Sequence, residues 1–261
     1  MNGLLRSETR KLTTTRLWLG LLAGGVALVA LYVLVIAFTA GNDARARDVL
    51  PALSSPAAVR TVYGVPAEVG YLMPLILGVT IICTEYRHRT ITPTLLATPR
   101  RARVLLAKVV VAAGAGFLMG VVLTFVAAAL GAAAIAARGY PVLLTSDGVP
   151  RLLGLMTVAL GVWCVFGLGF GALLRNQVAA VVSAIALVTI VDGLLALLLR
   201  WIHLGTVAQY LPGSASRAII NPATTRGAEL LPWWGGALVL LAWGLGTAAV
   251  GSFVTLRRDV T

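Results

Sequence analysis

Six long apolar runs, separated by short segments that carry nearly all the charges, dominate the chain. They lie at about residues 17–40, 62–84, 104–137, 152–174, 178–199 and 232–256. A helix needs about 20 apolar residues to cross a bilayer core. Lipid offers no partner for backbone polar groups, so each run must be helical, and the alternating segments of a β-barrel are absent. The pattern predicts an all-α polytopic membrane protein, with residues 1–261 forming a single transmembrane domain.

Composition supports this class. Of the 261 residues, 59% are hydrophobic and only 11% are charged, whereas a soluble domain carries about 25% charged residues. This excludes an ordinary water-soluble enzyme and a disordered chain. Cys83 and Cys164 both lie in apolar runs, which excludes a disulfide framework. The net charge of +12 lies between the spans, so we interpret it as a topology signal and expect no nucleic-acid partner.

The positive charges also predict the orientation. Counting Lys and Arg gives 13 on the side that holds residues 1–16, 85–108, Arg175 and the C-terminal tail, against 8 on the other side. By the positive-inside rule, both termini are cytoplasmic. The first run is too long for the apolar core of a signal peptide, so we expect it to remain as a helix. The predominance of Arg over Lys indicates a high-GC bacterial genome, and hence a bacterial inner membrane.

Two segments outside the runs carry structural signals. Residues 2–16 resemble a weak basic interfacial helix, although a flexible positive tail is the alternative. Residues 200–231 contain Pro and Gly that allow only short helical pieces. A short re-entrant or interfacial element and an ordinary loop both remain open for this segment.

The loop after the second run predicts a helical hairpin. Thr92 before Pro93 is an N-cap followed by proline at the first helical position, and Thr98 before Pro99 repeats the signal. We expect a short helix over Pro93–Ala97 and then a basic helix that runs from Pro99 into the third span. A helical hairpin is longer than the chain needs in order to reverse its direction, which indicates that the hairpin is a docking element.

Other motifs limit the chemistry. The chain has no phosphate-binding Walker A loop, and its two histidines lie on opposite predicted sides of the membrane, so neither an enzyme nor a metal site is expected. Glu68 and Asp192 fall inside spans, where carboxylates are costly; a functional role and a place near the interface both remain open. The glycine pairs at 20/24, 116/120 and 167/171 favour helix packing within the chain over a dimer interface.

Several of these features together resemble the type-2 exporter permeases of ATP-binding-cassette (ABC) transporters. The second span ends in Glu85, which is followed by basic residues, a Leu95-Leu96 pair, an Ala97-Thr98-Pro99-Arg100 stretch and then Lys108. Glu8 and Lys11 precede the first span, and Leu174-Arg175-Asn176 follows the fourth. The resemblance covers nearly the whole chain.

The resemblance implies an exporter of two such subunits, as a homodimer or heterodimer, with two separate ATPase subunits that bind ATP and Mg. Glu85 would pair with nearby basic residues and fix the second span against the N-terminal helix. Coupling to the ATPase would involve Glu85, Arg87, Arg89, Thr90, Pro93, Leu95, Leu96, Pro99, Arg100 and Arg101. The substrate, an amphipathic or lipid-like drug, antibiotic, lipid or glycan, would pass Met73, Leu77, Val188 and Asp192.

Two other function classes stay open. A secondary transporter would show inverted repeats and broken helices with charges at the membrane midplane. A non-transporting membrane anchor or immunity subunit would use the hairpin for regulation. An intramembrane enzyme is disfavoured, because the paired histidines or carboxylates that it needs at membrane depth are missing.

Overall fold

A computed structural model describes residues 2–40, 53–87, 101–174, 176–220 and 230–257 of the chain. Within these ranges the regular structure is entirely helical, and six helical segments are long and apolar enough to cross a membrane. The helices are α1 (Asn2–Thr14), α2 (Leu17–Thr39), α3 (Pro56–Tyr63), α4 (Leu72–Arg87), α5 (Arg101–Ala137), α6 (Val149–Leu173), α7 (Gln177–Ala186), α8 (Asp192–Trp201), α9 (Gly205–Ala208), α10 (Pro212–Ile220) and α11 (Trp233–Arg257). The predicted multi-pass helical membrane protein is confirmed.

Spans 1, 3, 4 and 6 are the single helices α2, α5, α6 and α11, whereas spans 2 and 5 are composite. Span 2 joins α3 to α4 through a π-helical segment, Pro66–Gly70, and span 5 joins α7 to α8 through another, Leu187–Val191. The helical segment of span 2 begins at Pro56, six residues before the apolar run that starts at about residue 62. The hydropathy pattern stopped at the charged Arg60, whose guanidinium reaches outward to the carbonyl of Asp147 at 3.4 Å.

Span 4 lies at the centre of the bundle, and its glycines let neighbouring backbones approach. A methyl group on Gly167 or Gly171 would collide with backbone atoms of span 2, and one on Gly169 would collide with span 6. On span 3, a methyl group on Gly116 would lie 2.9 Å from the carbonyl oxygen of Leu160. The predicted intramolecular role of two of the three glycine pairs is therefore confirmed. The pair at 20/24 meets nothing within 4 Å in the described part of the chain.

The segment after span 5 folds back into the bundle. The indole N–H of Trp163 donates to the hydroxyl oxygen of Ser216 in α10, at 3.3 Å. With a rise of 1.5 Å per residue, Trp163 lies about 21 Å from the first residue of span 4, roughly half of the length of that helix. The described part of this segment, residues 200–220, thus forms the short helices of a re-entrant element rather than an ordinary loop.

Candidate functional site

Four charged side chains meet where α1, span 2 and span 3 converge; we call them the four-charge cluster. Glu8 and Lys11 are three residues apart, so they share one face of α1. Glu85 comes from the last turns of span 2, and Lys108 comes from the first turns of span 3. The Lys108 ammonium lies 2.6 Å from a carboxylate oxygen of both glutamates, and the Lys11 ammonium lies 2.7 Å from a carboxylate oxygen of both.

The cluster is neutral and mostly buried. Glu8 is 4%, Glu85 4% and Lys108 3% exposed, whereas the side chain of Lys11 is 43% exposed. Removing charges from water is costly unless each is paired and hydrogen-bonded, and here two carboxylates face two ammonium groups. The arrangement therefore holds three separate helices at one point, and removing any buried member leaves an unmatched charge.

The pKa values of Glu8 and Lys11 reflect this pairing. Burial alone would raise the pKa of Glu8, but Lys108 and Lys11 outweigh it and lower that pKa below its ordinary value. Burial would likewise lower the pKa of Lys11, but hydrogen bonds to Glu8 and Glu85 outweigh it and raise that pKa. Both groups therefore remain charged throughout the neutral pH range.

The expected pairing of Glu85 with basic residues is confirmed, and its partners are Lys11 and Lys108. Its second carboxylate oxygen, Oε2, is buried and accepts no hydrogen bond from the described residues. Sequence reasoning treated Lys108 and the Glu8/Lys11 pair only as features of a resemblance and missed their direct contact. The contact could have been predicted from the position of Lys108 inside the predicted third span, because a charged side chain within a membrane span needs a partner.

The remaining predicted coupling residues surround the loop that joins spans 2 and 3. Arg87 follows Glu85 by two residues at the end of span 2, and Arg101, the first residue of span 3, precedes Lys108 by about 10 Å along the helix. The predicted helix Pro93–Ala97 lies outside the described residues. So do Arg89, Thr90, Pro93, Leu95, Leu96, Pro99 and Arg100.

A second group of charges, which we call the re-entrant cluster, consists of Glu68, Asp192 and Arg217. The carboxylate of Asp192 lies 3.7 Å from the guanidinium of Arg217 in α10, and it accepts a hydrogen bond from the backbone N–H of Gly213 at 3.2 Å. Arg217 also interacts electrostatically with Glu68. The π-helical segment of span 2 contains Glu68, and that of span 5 ends directly before Asp192. Such segments are frequent at functional sites.

The four predicted substrate-pathway residues occupy different surroundings. Leu77 lines a cavity beside α1, and the side chain of Met73 packs close to Gly25 of span 1. Val188 and Asp192 are each 5% exposed, and Asp192 bonds to the re-entrant helix α10. The residues of span 2 thus face span 1 and α1, whereas Asp192 belongs to the re-entrant cluster. Among the described residues, no group of three or more His, Cys, Asp or Glu is placed to hold a metal ion.

No protein-family model matches the chain, and no curated protein matches it significantly. The helix arrangement and the two charge clusters are therefore the basis on which a function can be proposed.

Proposed function

We propose that this chain is the permease subunit of an ABC exporter in a bacterial inner membrane, with both termini cytoplasmic. A separate ATPase subunit, in two copies, binds ATP and Mg and docks on the loop between spans 2 and 3. The observation that carries this proposal is the four-charge cluster, which ties α1 and both ends of that loop together.

The cluster suits the transmission of force from a docked partner. Breaking a buried ion pair by removing one partner costs about 3–5 kcal/mol, so the three elements resist separation. A push on the loop would therefore move α1, the end of span 2 and the start of span 3 as one body. A membrane anchor that does not change conformation would not need such a rigid connection between helices.

The four-charge cluster is rigid, whereas the re-entrant cluster is the part of the molecule that would open and close during transport. The pair between Asp192 and Arg217 is longer, at 3.7 Å, and the Arg217 side chain is 38% exposed. The Asp192 carboxylate is itself buried, so opening of this pair requires another partner for that carboxylate, and the backbone N–H of Gly213 already supplies one hydrogen bond. Closure of the ATPases would favour one state of this region, as any ligand-driven shift requires differential binding to two states.

Assembly with a second permease, identical or related, fits the exposed surface of the chain. Spans 1 and 5 bury little of their area within one chain. Large apolar side chains are exposed on both, among them Leu31, Val35 and Phe38 on span 1 and Val178 and Val182 on span 5. A two-fold pair would cover part of this surface, and lipid would cover the rest. The apolar surroundings favour an amphipathic or lipid-like substrate.

A secondary transporter is the second candidate, and one specific observation favours it. In spans 2 and 5 the α-helix changes to a π-helical segment beside a carboxylate, Glu68 in one and Asp192 in the other. Such segments are frequent at functional sites, and intramembrane carboxylates form the proton relays of transporters. Transport by such a carrier would need neither an ATPase subunit nor a docking site on the loop between spans 2 and 3.

Purification of the tagged chain from its native membrane in a mild detergent separates these candidates. We expect an equimolar partner that contains a Walker A loop to copurify. Replacing residues 93–101 by a Gly/Ser linker should release that partner, whereas the same replacement of residues 221–229, a segment of equal length on the opposite side, should retain it. A chain that purifies alone, or that keeps its partner after the first replacement, would contradict the proposal.

A further inference from the structure

A polar cavity of about 330 Å³ lies at the end of the bundle opposite the four-charge cluster. Its walls come from α3 at the start of span 2, the first turn of span 4 with the turn before it, α10, and the start of span 6. Three charged side chains line it, those of Arg60, Asp147 and Arg151. The volume falls within the range of small-molecule sites.

The guanidinium groups of Arg60 and Arg151 converge on one turn of the chain. Nη1 of Arg60 donates a hydrogen bond to the carbonyl oxygen of Asp147 at 3.4 Å. Nη2 of Arg151 would lie 3.6 Å from a methyl group placed on the next residue, Gly148. The Arg151 guanidinium also lies 5.0 Å from the ring centroid of Trp233, within the range of a cation–π interaction. The indole ring therefore helps to hold the Arg151 side chain at the same turn that Arg60 contacts.

These two cations are not neutralised by the described part of the chain. Neither guanidinium forms a salt bridge there, although the carboxylate of Asp147 lines the same cavity. That carboxylate instead accepts a hydrogen bond from the hydroxyl group of Ser146 at 3.0 Å. With two guanidinium groups and one carboxylate, the described wall of the cavity carries a net positive charge.

The start of span 4 adds to the positive charge. The helix begins at Val149, and its first turn contains no acidic residue and receives no hydrogen bond from a capping side chain. The backbone N–H groups at a helix start act as about half a positive charge, so a cation is unfavourable there. Arg151 is nevertheless the third residue of this helix. An anion in the cavity would offset both charges, because phosphate groups bind at helix N-termini and a guanidinium group can donate to two phosphate oxygens at once.

We propose that this cavity binds a phosphate group between the guanidinium groups of Arg60 and Arg151, at the start of span 4. The phosphate belongs to a phosphorylated solute or to a phospholipid headgroup on this side of the membrane, and both present the same oxygens to the two arginines. The site lies on the side opposite the loop between spans 2 and 3. It therefore does not depend on the proposed ATPase coupling.

Titration with inorganic phosphate tests the two arginines. Broadening of its ³¹P NMR line measures binding to the purified protein, with any subunits that accompany it, in a maltoside detergent. We expect Arg60→Gln and Arg151→Gln each to weaken binding about tenfold, because each removes charge-assisted hydrogen bonds. The matched control Arg200→Gln removes an exposed arginine on the same side that does not line the cavity, and it should leave binding unchanged. Asp147→Asn removes a competing negative charge and should strengthen binding about threefold.

The phospholipids that the protein retains distinguish the two sources of phosphate. Native mass spectrometry compares the unchanged protein with Arg151→Gln, whose side chain is exposed, so that the fold should tolerate the change. Loss of one phospholipid identifies a lipid headgroup, whereas weaker phosphate binding with an unchanged lipid count identifies a soluble phosphate compound. An unchanged phosphate titration together with an unchanged lipid count would overturn the proposal. Displacement of phosphate by an equal concentration of acetate would also overturn it.

Discussion

Replacement of Lys108 by methionine is the sharpest test of the four-charge cluster. Methionine keeps most of the side-chain length but removes the ammonium that lies 2.6 Å from both glutamates. Each contact at that distance represents about 6 kcal/mol of gross attraction at an effective dielectric of 20. Much of this is offset by desolvation, so we expect the net cost of the unpaired buried carboxylate to be about 3–5 kcal/mol.

The cost should appear as loosening of α1, because only this helix can leave the cluster without breaking a span. Hydrogen exchange of the α1 amides, measured in lipid nanodiscs, should accelerate by roughly two to four powers of ten in Lys108→Met. Lys11→Met is the matched control. Its side chain is 43% exposed, so water can replace it and the cost should be about 1 kcal/mol or less.

A compensating change completes the test. Glu8→Gln combined with Lys108→Met removes one charge of each sign and leaves Lys11 paired with Glu85. This double variant should recover at least half of the protection that Lys108→Met loses. Equal effects of Lys108→Met and Lys11→Met, or no rescue by the double variant, would refute the view that the cluster is a buried and mutually dependent unit.

Three further predictions concern other parts of the molecule. Because the pKa of Glu8 lies below its ordinary 4.5, its stabilising effect is complete above that pH and is lost as the pH falls through the lowered value. Protection of α1 should therefore be constant between about pH 5 and 8 and should fall only at a pH below 4.5. Gly167→Ala forces a methyl group against the backbone of span 2 and should lower the free energy of unfolding in mixed micelles by about 1–3 kcal/mol, whereas Gly154→Ala, with open space around it, should not. Asp192→Asn keeps an oxygen for the Gly213 N–H but loses the ion pair; the same measurement should show a loss of about 1 kcal/mol or less, and a larger loss would mean that the pair is better shielded than its geometry indicates.

The spans were predictable because length and apolarity alone determine them. Lipid leaves a helix as the only solution for each long apolar run, and the close approach of span 4 to its neighbours followed from glycine spacing. The helix of span 2 begins before the apolar run because Arg60 interrupts the hydropathy pattern, while its long side chain reaches away from the helix to Asp147. The hydropathy pattern likewise cannot predict the π-helical segments at Glu68 and before Asp192, since these segments change the backbone hydrogen bonding rather than the composition.

The charge clusters were harder to predict, because their members are distant in the chain. Lys108 and Glu8 are separated by 100 positions, and positive residues near span ends are ordinarily explained by topology. The pairing of Glu85 with basic residues was predicted, but only as part of a resemblance. The contact between Asp192 and Arg217 depends on α10 folding back into the bundle, which no local pattern specifies.

The composition of the intact assembly tests the central claim most directly. Native mass spectrometry of the complex released from its own membrane should show two permease subunits, this chain with an identical or related partner, together with two copies of a Walker A subunit. Loss of the two ATPase copies alone, on replacement of residues 93–101 but not of residues 221–229, would confirm where they dock. A complex without any nucleotide-binding subunit, active in vesicles that lack ATP, would contradict the account and favour a secondary transporter.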